Sequence, residues 1–371
     1  MPATLFSPIR IGNIELEHRV VMAPLTRMRA RGVGRTPHQL NADYYRQRAS
    51  KGGLIISEGA PVSEFAHGLP ATPGIHNDEQ IAGWQTITDA VHQRDGRIFL
   101  QLWHVGRVSH PSHLPRNCRP VAPSAVSPCG YATTADFQRV PYGEPRALST
   151  KEVVATVQDF VRAAKNAMAA GFDGVEIHGA NGYLIEQFLH ERTNQRTDDY
   201  GGSLENRCRF AMEVAEAVTG VWGEDRVGIR LSPFGTANDS GEADPWPLYD
   251  YLIRRLASLN LAYLHLIEPR ASGAGQAEVN HVDLPSASEL FRPIWPGALI
   301  AAGNYTRDGA LSAIAEGRAD AIAFGRLFIA NPDLPLRLRS NAPLNAYNRG
   351  TFYGGHAAGY TDYPFLSPTE A

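Results

Sequence analysis

Apolar runs of strand length recur eight times along the chain, at residues 19–23, 53–57, 98–103, 174–178, 227–231, 262–267, 299–302 and 321–324, with helical patterns between them. The clearest helix sets Val153, Val157, Phe160, Val161, Ala164 and Met168 on one face and opens with the capping box Ser149-x-x-Glu152. Another carries Ile81, Trp84, Ile87 and Val91 at helical spacing. A strand followed by a helix, repeated eight times, predicts an α/β fold, the parallel (β/α)8 TIM barrel. An open dinucleotide-binding sheet would favour a GxGxxG turn after its first strand, where this chain has Ala23-Pro24-Leu25-Thr26-Arg27.

A chain of 371 residues is long for one domain, yet barrels reach this length, and no linker, repeat or low-complexity tract divides it. Residues 1–371 are therefore expected to form a single domain. The stretch 104–148, rich in Pro, Ser and Arg, is too long for an ordinary loop and is expected to cap the barrel mouth. Residues 341–371 keep Tyr347, Phe352, Tyr353, Tyr360 and Tyr363 among glycines and prolines, which predicts an ordered C-terminal coil packed on the barrel. The net charge of -3 offers no basic field for nucleic acid or an anionic membrane. Cys118, Cys129 and Cys208 are odd in number and lack CxxC spacing, and the first residues lack a basic and apolar leader pattern. A protein of the reducing cytoplasm is expected.

The strand Gly174-Val175-Glu176-Ile177 leads into His178-Gly179-Ala180-Asn181-Gly182-Tyr183-Leu184. Alternation sends Val175 and Ile177 outward against helices and turns Glu176 and His178 toward a wet barrel mouth, the end where such barrels keep their chemistry. The plainer reading makes His178 a core histidine and Asn181-Gly182 a turn. Other strand ends carry matching groups. Ala302-Gly303-Asn304 and Gly325-Arg326 bring glycine amides and a guanidinium to the place where many barrels hold phosphate, although the glycines could serve tight turns alone. Gln101 can pair with a pyrimidine edge, Thr26 can hydrogen-bond a carbonyl, and Arg230 can set fixed positive charge beside a flavin ring. Trp103 and Tyr353 read from composition as packing residues. His104, His110 and His113 lie in the Pro-rich loop without regular ligand spacing, and strand one offers no ligand, so no metal is expected.

Taken in order, Pro24-Leu25-Thr26-Arg27, Gln101-Leu102-Trp103-His104-x-Gly106-Arg107, His178-x-x-Asn181-Gly182-Tyr183-Leu184, Asp199-Tyr200-Gly201-Gly202-Ser203-x-Glu205-Asn206-Arg207 and Phe324-Gly325-Arg326 resemble the Old Yellow Enzyme family. Asn331-Pro332-Asp333-Leu334, Phe352-Tyr353-Gly354-Gly355 and Gly359-Tyr360-Thr361-Asp362-Tyr363-Pro364 extend the likeness over nearly the whole chain. The resemblance is to the bacterial branch, which includes N-ethylmaleimide and nitrate-ester reductases. It implies non-covalent FMN, with NADPH or NADH as reductant. By that analogy Pro24, Leu25, Thr26, Ala60, Gln101, His178 and Arg230 hold the isoalloxazine, and Ala302, Gly303, Asn304, Gly325 and Arg326 hold the phosphate end. Thr26, Trp103, His178, Asn181, Tyr183 and Tyr353 would face the substrate.

The chemistry so implied is a ping-pong reduction of the activated C=C bond of unsaturated carbonyls, maleimides or nitroalkenes. Hydride passes from flavin N5 to the β-carbon, His178 and Asn181 polarise the activating oxygen, and Tyr183 protonates the α-carbon. Denitration of nitrate esters is the alternative within the same family. A non-catalytic flavin carrier gives no reason for Tyr183 beside His178, and a metal-dependent barrel hydrolase lacks its ligands. An iron–sulfur relative would need more than three scattered cysteines. Leu69 and Ala237 stand where many bacterial relatives carry tyrosine and phenylalanine, which predicts a roomier pocket. A small electrophilic alkene or nitro compound is the expected partner, for a monomer or a homodimer.

Overall fold

A computed structural model describes residues 3–269 and 283–367. At its centre eight parallel strands close into a barrel: β1 (Val20–Met22), β2 (Leu54–Pro61), β3 (Arg97–Trp103), β4 (Gly174–Gly179), β5 (Val227–Leu231), β6 (Tyr263–Ile267), β7 (Ala298–Ala302) and β8 (Ala321–Phe324). The eight apolar runs of the sequence are these strands. Each pairs with its chain neighbours, and β8 returns to β1 through Ile322↔Val20 and Phe324↔Met22. Around them lie α1 (Gln39–Arg48), α2 (Asp78–His92), α3 (Thr150–Ala169), α4 (Leu184–Leu189), α5 (Leu204–Trp222), α6 (Pro245–Ala257), α7 (Ala287–Phe291), α8 (Arg307–Ala315), α9 (Arg326–Ala330) and α10 (Leu334–Ser340). No described helix is long and apolar enough to cross a membrane.

Strand alternation splits the apolar residues into two cores. Val20, Ile55, Ile98, Leu100, Val175 and Ile177 point outward and join the core under the helices, while Val21, Leu54, Ile56, Phe99, Tyr263 and Ile300 fill the barrel itself. A hairpin of Ile9–Ile11 and Ile14–Leu16 adds Ile11, Ile14 and Leu16 to that inner core. It closes the end opposite the chemistry, with its turn against the Asp225 carbonyl just ahead of β5.

Two sequence expectations shift in detail. The capping box at Ser149 and Glu152 is present, but the buried stripe of α3 is Val153, Thr156, Val157, Phe160, Ala163, Ala164 and Ala167. Met168 is exposed, because the sheet-facing position one turn beyond Ala164 falls to Ala167. Strand β2 runs on to Pro61, since pairing with β3 resumes at Gly59↔Gln101 after an irregularity beyond Ile56. That extension carries Glu58 and Ala60 to the barrel rim.

Residues 104–148 contain a hairpin of Tyr131–Thr133 and Arg139–Pro141 and a short parallel pair of Val121–Ala122 with Arg146–Ala147. Buried Arg107 ties this segment to the loop after β5, donating to the carbonyls of Val126, Asn238 and Asp239. The coil after α10 is clasped by arginines from the loop after β1. Arg27 donates to the carbonyls of Phe352 and Gly359, and Arg29 to that of His356. Tyr360 stacks on Tyr44 at 4.0 Å, and the Arg27 guanidinium lies 5.0 Å from each ring.

Candidate active site

Strand register builds the floor of the mouth. Glu176 of β4 stands level with Gln101 of β3 and Gly228 of β5, and Gly228 stands level with Tyr263 of β6. The Glu176 carboxylate accepts from Gln101 Nε2 at 2.8 Å, from the Tyr263 hydroxyl at 3.1 Å and from His265 Nδ1 at 2.8 Å. Glu176 is fully buried, which corrects the expectation of a wet mouth at this level. The cost of burying a carboxylate is met by three donors. A β-carbon at Gly228 would lie 2.2 Å from Tyr263 Cζ, so only glycine lets that ring reach across to Glu176.

One level higher, His178, Arg230 and His265 are register neighbours on β4, β5 and β6. Burial pulls the Arg230 guanidinium below its ordinary value while Glu176 beneath it works the other way. Arg230 Nε and His265 Nε2 have no hydrogen-bond partner among the described residues. His178 Nδ1 accepts from the Ala180 amide at 3.4 Å, so a neutral imidazole carries its proton on Nε2 and is a donor there. Burial, then the positive Arg230, hold His178 far below its usual pKa and keep it neutral.

From the end of β4 the chain turns through the left-handed conformations of Asn181 (φ 61°) and Gly182 (φ 74°). A β-carbon at Gly182 would meet the Ala237 carbonyl oxygen at 2.4 Å. The turn is held on three sides. The Asn181 amide donates to Ser232 Oγ at 2.8 Å, its carbonyl accepts from Asn238 Nδ2 at 2.8 Å, and the Gly182 amide donates to Glu186 Oε2. Tyr183 follows as the N-cap residue of α4. Its ring stands edge-on to His178 and to Trp103, with centroids 5.0 Å from each. Burial first, and then neighbouring Tyr142 and Tyr353, push its phenol well above the ordinary value, against an opposing hydrogen bond with Asn238. The hydroxyl is protonated throughout the neutral range.

Trp103 is buried behind this rim, 1% exposed, with Val105 and Val108, and Gly59 leaves the space its indole occupies. Its indole Nε1 has no partner among the described residues. Leu69, Tyr142 and Tyr183 pack on that cluster. Tyr353 is 41% exposed at the opening.

The opposite side of the mouth gathers the strand ends that the sequence assigns to a flavin. Pro24, Leu25 and Thr26 are half-buried after β1, and the loop is pinned where the Arg27 amide donates to Glu58 Oε2 at 3.1 Å. Leu25 Cδ2 lies 3.4 Å from where a β-carbon would stand on Gly325. Past Ala302 at the end of β7, Gly303 adopts φ 133° against Glu268, and Asn304 follows with φ 55° and accepts from Arg326 Nη2. The helix behind Gly325, α9, has only 5 residues, so an anion here would be met by the guanidinium and loop amides rather than by a long helix dipole.

This donor set fits FMN. Arg230 Nε lacks a protein partner among the described residues at the level where a pyrimidine edge would lie. Gln101 commits an amide hydrogen to Glu176 and keeps a carbonyl oxygen for a ring N–H. Gly303, Asn304, Gly325 and Arg326 stand together at one corner of the mouth and could take an anion. By contrast, the loop histidines do not converge. His104 Nδ1 accepts from the Gly106 amide, His110 Nδ1 from that of Ser112, and His113 Nε2 meets the Thr133 carbonyl. Among the described residues no group of three metal-binding side chains comes together.

Tyr142, Ser232, Asn238, Glu58 and Glu186 were not singled out by sequence. The first four sit in stretches with no motif of their own and gain their places only when the barrel closes, while Glu186 lies just past the motif that ends in Leu184 and reaches back to the Gly182 amide.

The chain matches the family described as NADH:flavin oxidoreductase / NADH oxidase over residues 4–345. It is 49% identical to 12-oxophytodienoate reductase 1 of Oryza sativa subsp. japonica over 99% of this chain and 94% of that one. Identity to 12-oxophytodienoate reductase 2 of Arabidopsis thaliana is 47%, over 98% and 96%. The structure of morphinone reductase in complex with tetrahydroNAD superposes with a TM-score of 0.91 at 46% identity, covering 100% of this chain and 99% of that one.

Proposed function

Because the chain belongs to the NADH:flavin oxidoreductase / NADH oxidase family, the FMN-dependent Old Yellow Enzymes, we propose that it is an NAD(P)H-driven ene-reductase acting on alkenes activated by a carbonyl or nitro group. Bound FMN would supply the hydride exchange between the nicotinamide and the alkene. The protein supplies binding, polarisation and a proton.

His178 Nε2–H and the Asn181 side-chain amide donate to the oxygen of the activating group, where negative charge grows as the β-carbon gains hydride. The neutral state of His178 leaves it a donor with no charge of its own to desolvate. Tyr183 gives its proton to the α-carbon, and its raised pKa keeps that proton in place until the carbanion needs it. Arg230 and Gln101 would hold the pyrimidine end of the ring, supplying positive charge and an acceptor there, while Gly303, Asn304, Gly325 and Arg326 would take the phosphate. Thr26 and Ala60 would border the bound ring. Trp103 braces Tyr183 and His178 from behind, and Tyr353 borders the entrance. Residues 104–148 cover the mouth of a single domain.

The observation that carries this reading is the placement of a protonated phenol and a neutral histidine donor side by side, 5.0 Å between ring centroids, above a buried arginine. The relatives are named for reducing 12-oxophytodienoate and morphinone, which supports cyclic enones as the first class to test, with maleimides and nitroalkenes next. The experiment is an anaerobic titration of the purified protein with NADPH or NADH and then 2-cyclohexenone. Bleaching of a flavin band near ~450 nm by the nicotinamide and its return with the enone are expected. A protein that stays reduced with every enone, maleimide and nitroalkene offered would overturn the assignment.

A further inference from the structure

The sharp turn that presents Asn181 and Tyr183 is strained in one sense: Asn181, not glycine, occupies the left-handed region beside Gly182, and both backbone N–H groups point into protein rather than solvent. Both are answered by one side chain. The Gly182 amide donates directly to Glu186 Oε2. The Asn181 amide donates to Ser232 Oγ, whose hydroxyl in turn donates to Glu186 Oε1. Glu186 lies on α4, the helix that Tyr183 caps, and is fully buried.

We propose that Glu186 is a positioning residue for the reduction, a buried carboxylate that fixes the Asn181–Gly182 turn and through it the oxygen-polarising amide and the proton-donating phenol. The proposal rests on the roles given above to Asn181 and Tyr183. Four donors converge on the carboxylate: the Gly182 amide, Ser232 Oγ, Ser240 Oγ at 3.3 Å and the Tyr249 hydroxyl at 3.0 Å. An ionised carboxylate accepts from all of them, whereas a carboxylic acid must place its own hydrogen where a donor already points.

The groups facing Glu186 leave the titration its own. Tyr249 of α6 is held protonated by burial, and Ser232 and Ser240 from the loop after β5 are uncharged. His190, at the end of α4 and 3.1 Å from the Tyr249 hydroxyl, is held down to about 3 by burial and then by Arg207 and Arg107, and so is neutral. Burial pushes the Glu186 carboxyl up to about 7. The turn is therefore tightest above that pH and loosens below it.

The test uses the FMN-loaded enzyme and the variants Glu186→Gln, Ser232→Ala and Asn181→Ala, with kcat and KM for 2-cyclohexenone measured from pH 5.5 to 9. Glu186→Gln should retain the flavin spectrum, lose about tenfold in kcat/KM at pH 8 mainly through kcat, and lose the acid limb that the wild type shows near neutrality; tenfold is the scale of one charge-assisted hydrogen bond. Ser232→Ala, which cuts only the branch to Asn181, should lose about threefold. In the Asn181→Ala background the Glu186→Gln loss should shrink, what remains being the share that acts through Gly182 and Tyr183. An unchanged kcat/KM and acid limb in Glu186→Gln would overturn the inference, as would a loss of full size in the Asn181→Ala background. If Asn181→Ala alone leaves catalysis untouched, the reading of Asn181 itself fails and the inference falls with it.

Discussion

The ring of Tyr183 stands edge-on to that of His178, their centroids 5.0 Å apart at an interplanar angle of 76°. Edge-on packing is a favoured arrangement of two rings, and under the proposed roles the Tyr183 hydroxyl and the His178 donor nitrogen would serve separate atoms of a bound substrate. The two groups thus have separable jobs, and removing one leaves the other in place.

Tyr183→Phe keeps the ring packing against Trp103 and His178 and deletes the proton. Enone-driven reoxidation should fall by roughly 10² to 10⁴, the usual size of a lost general acid. Flavin reduction by NADPH, which needs no proton from Tyr183, should stay within about threefold. Anaerobic rapid mixing separates the two steps; an equal fall in both would remove Tyr183 from the proton path.

His178→Ala removes a neutral donor rather than a charge. The kcat/KM for enones should fall by about 10² to 10³, as for other lost oxyanion donors, with little change in its dependence on pH between 6 and 9, because His178 stays neutral across that range. A new ionisation appearing in this window only in the wild type would count against a neutral His178.

Gly228→Ala drives a methyl into the Tyr263 ring, where the β-carbon would lie 2.2 Å from Cζ. Overpacking of this kind costs about 1–3 kcal/mol. The variant should melt several degrees lower and bind FMN more weakly, since Tyr263 helps to hold Glu176 and, through it, Gln101. Unchanged melting and FMN affinity would show that the floor yields.

Leu69→Tyr refills space beside Trp103, Tyr142 and Tyr183. Bulky 3-substituted cyclohexenones should lose about tenfold in kcat/KM relative to 2-cyclohexenone, the scale of one or two methylene-sized clashes. Ala237→Phe should act in the same direction from the turn above Gly182. An unchanged bulky-to-small ratio in both would mean that the pocket opens elsewhere.

The buried carboxyl of Glu186 also has a signature in stability. It is pushed up to about 7 in the folded protein, whereas a glutamate in the unfolded chain ionises near ~4.3. Between those values the folded state keeps a proton that the unfolded state releases, so this group's contribution falls as pH rises through the window. Glu186→Gln should gain about 2 kcal/mol relative to wild type on going from pH 5 to pH 8. Denaturant unfolding at both values measures it, and a difference that does not change with pH would place the titration elsewhere.

Much of the barrel was legible because its strands are short apolar runs between amphipathic helices, and parallel strands buried on both faces leave that trace in sequence. Lengths were harder: β2 continues to Pro61 across an irregularity that no residue pattern announces. Alternation correctly turned Glu176 inward but could not say how deep, and depth decides whether a carboxylate meets water or three buried donors. Met168 fitted the helical spacing of α3 and still faces solvent, because Ala163, Ala164 and Ala167 already fill the contact. The motif His178-x-x-Asn181-Gly182-Tyr183 marked one rim of the mouth. Of the residues that hold that rim, Ser232 and Asn238 come from the loop after β5 and have no spacing relation to the motif, while Glu186 lies just past it and gives no sign in sequence of reaching back to Gly182.

The clasp of Arg27 on the carbonyl of Phe352 joins residues 325 positions apart. Arg27 ends the loop of Pro24, Leu25 and Thr26, and Phe352 precedes Tyr353 at the entrance. During synthesis the first of these segments emerges early and waits for the second, since a domain's long-range contacts form only when both partners are available. A chain cut short of Phe352 has every barrel strand and keeps the hold of the Arg27 amide on Glu58, but its Arg27 guanidinium lacks the Phe352 and Gly359 carbonyls. The last stretch of the chain thereby closes on the first loop of the barrel, so that beginning and end are secured by one guanidinium.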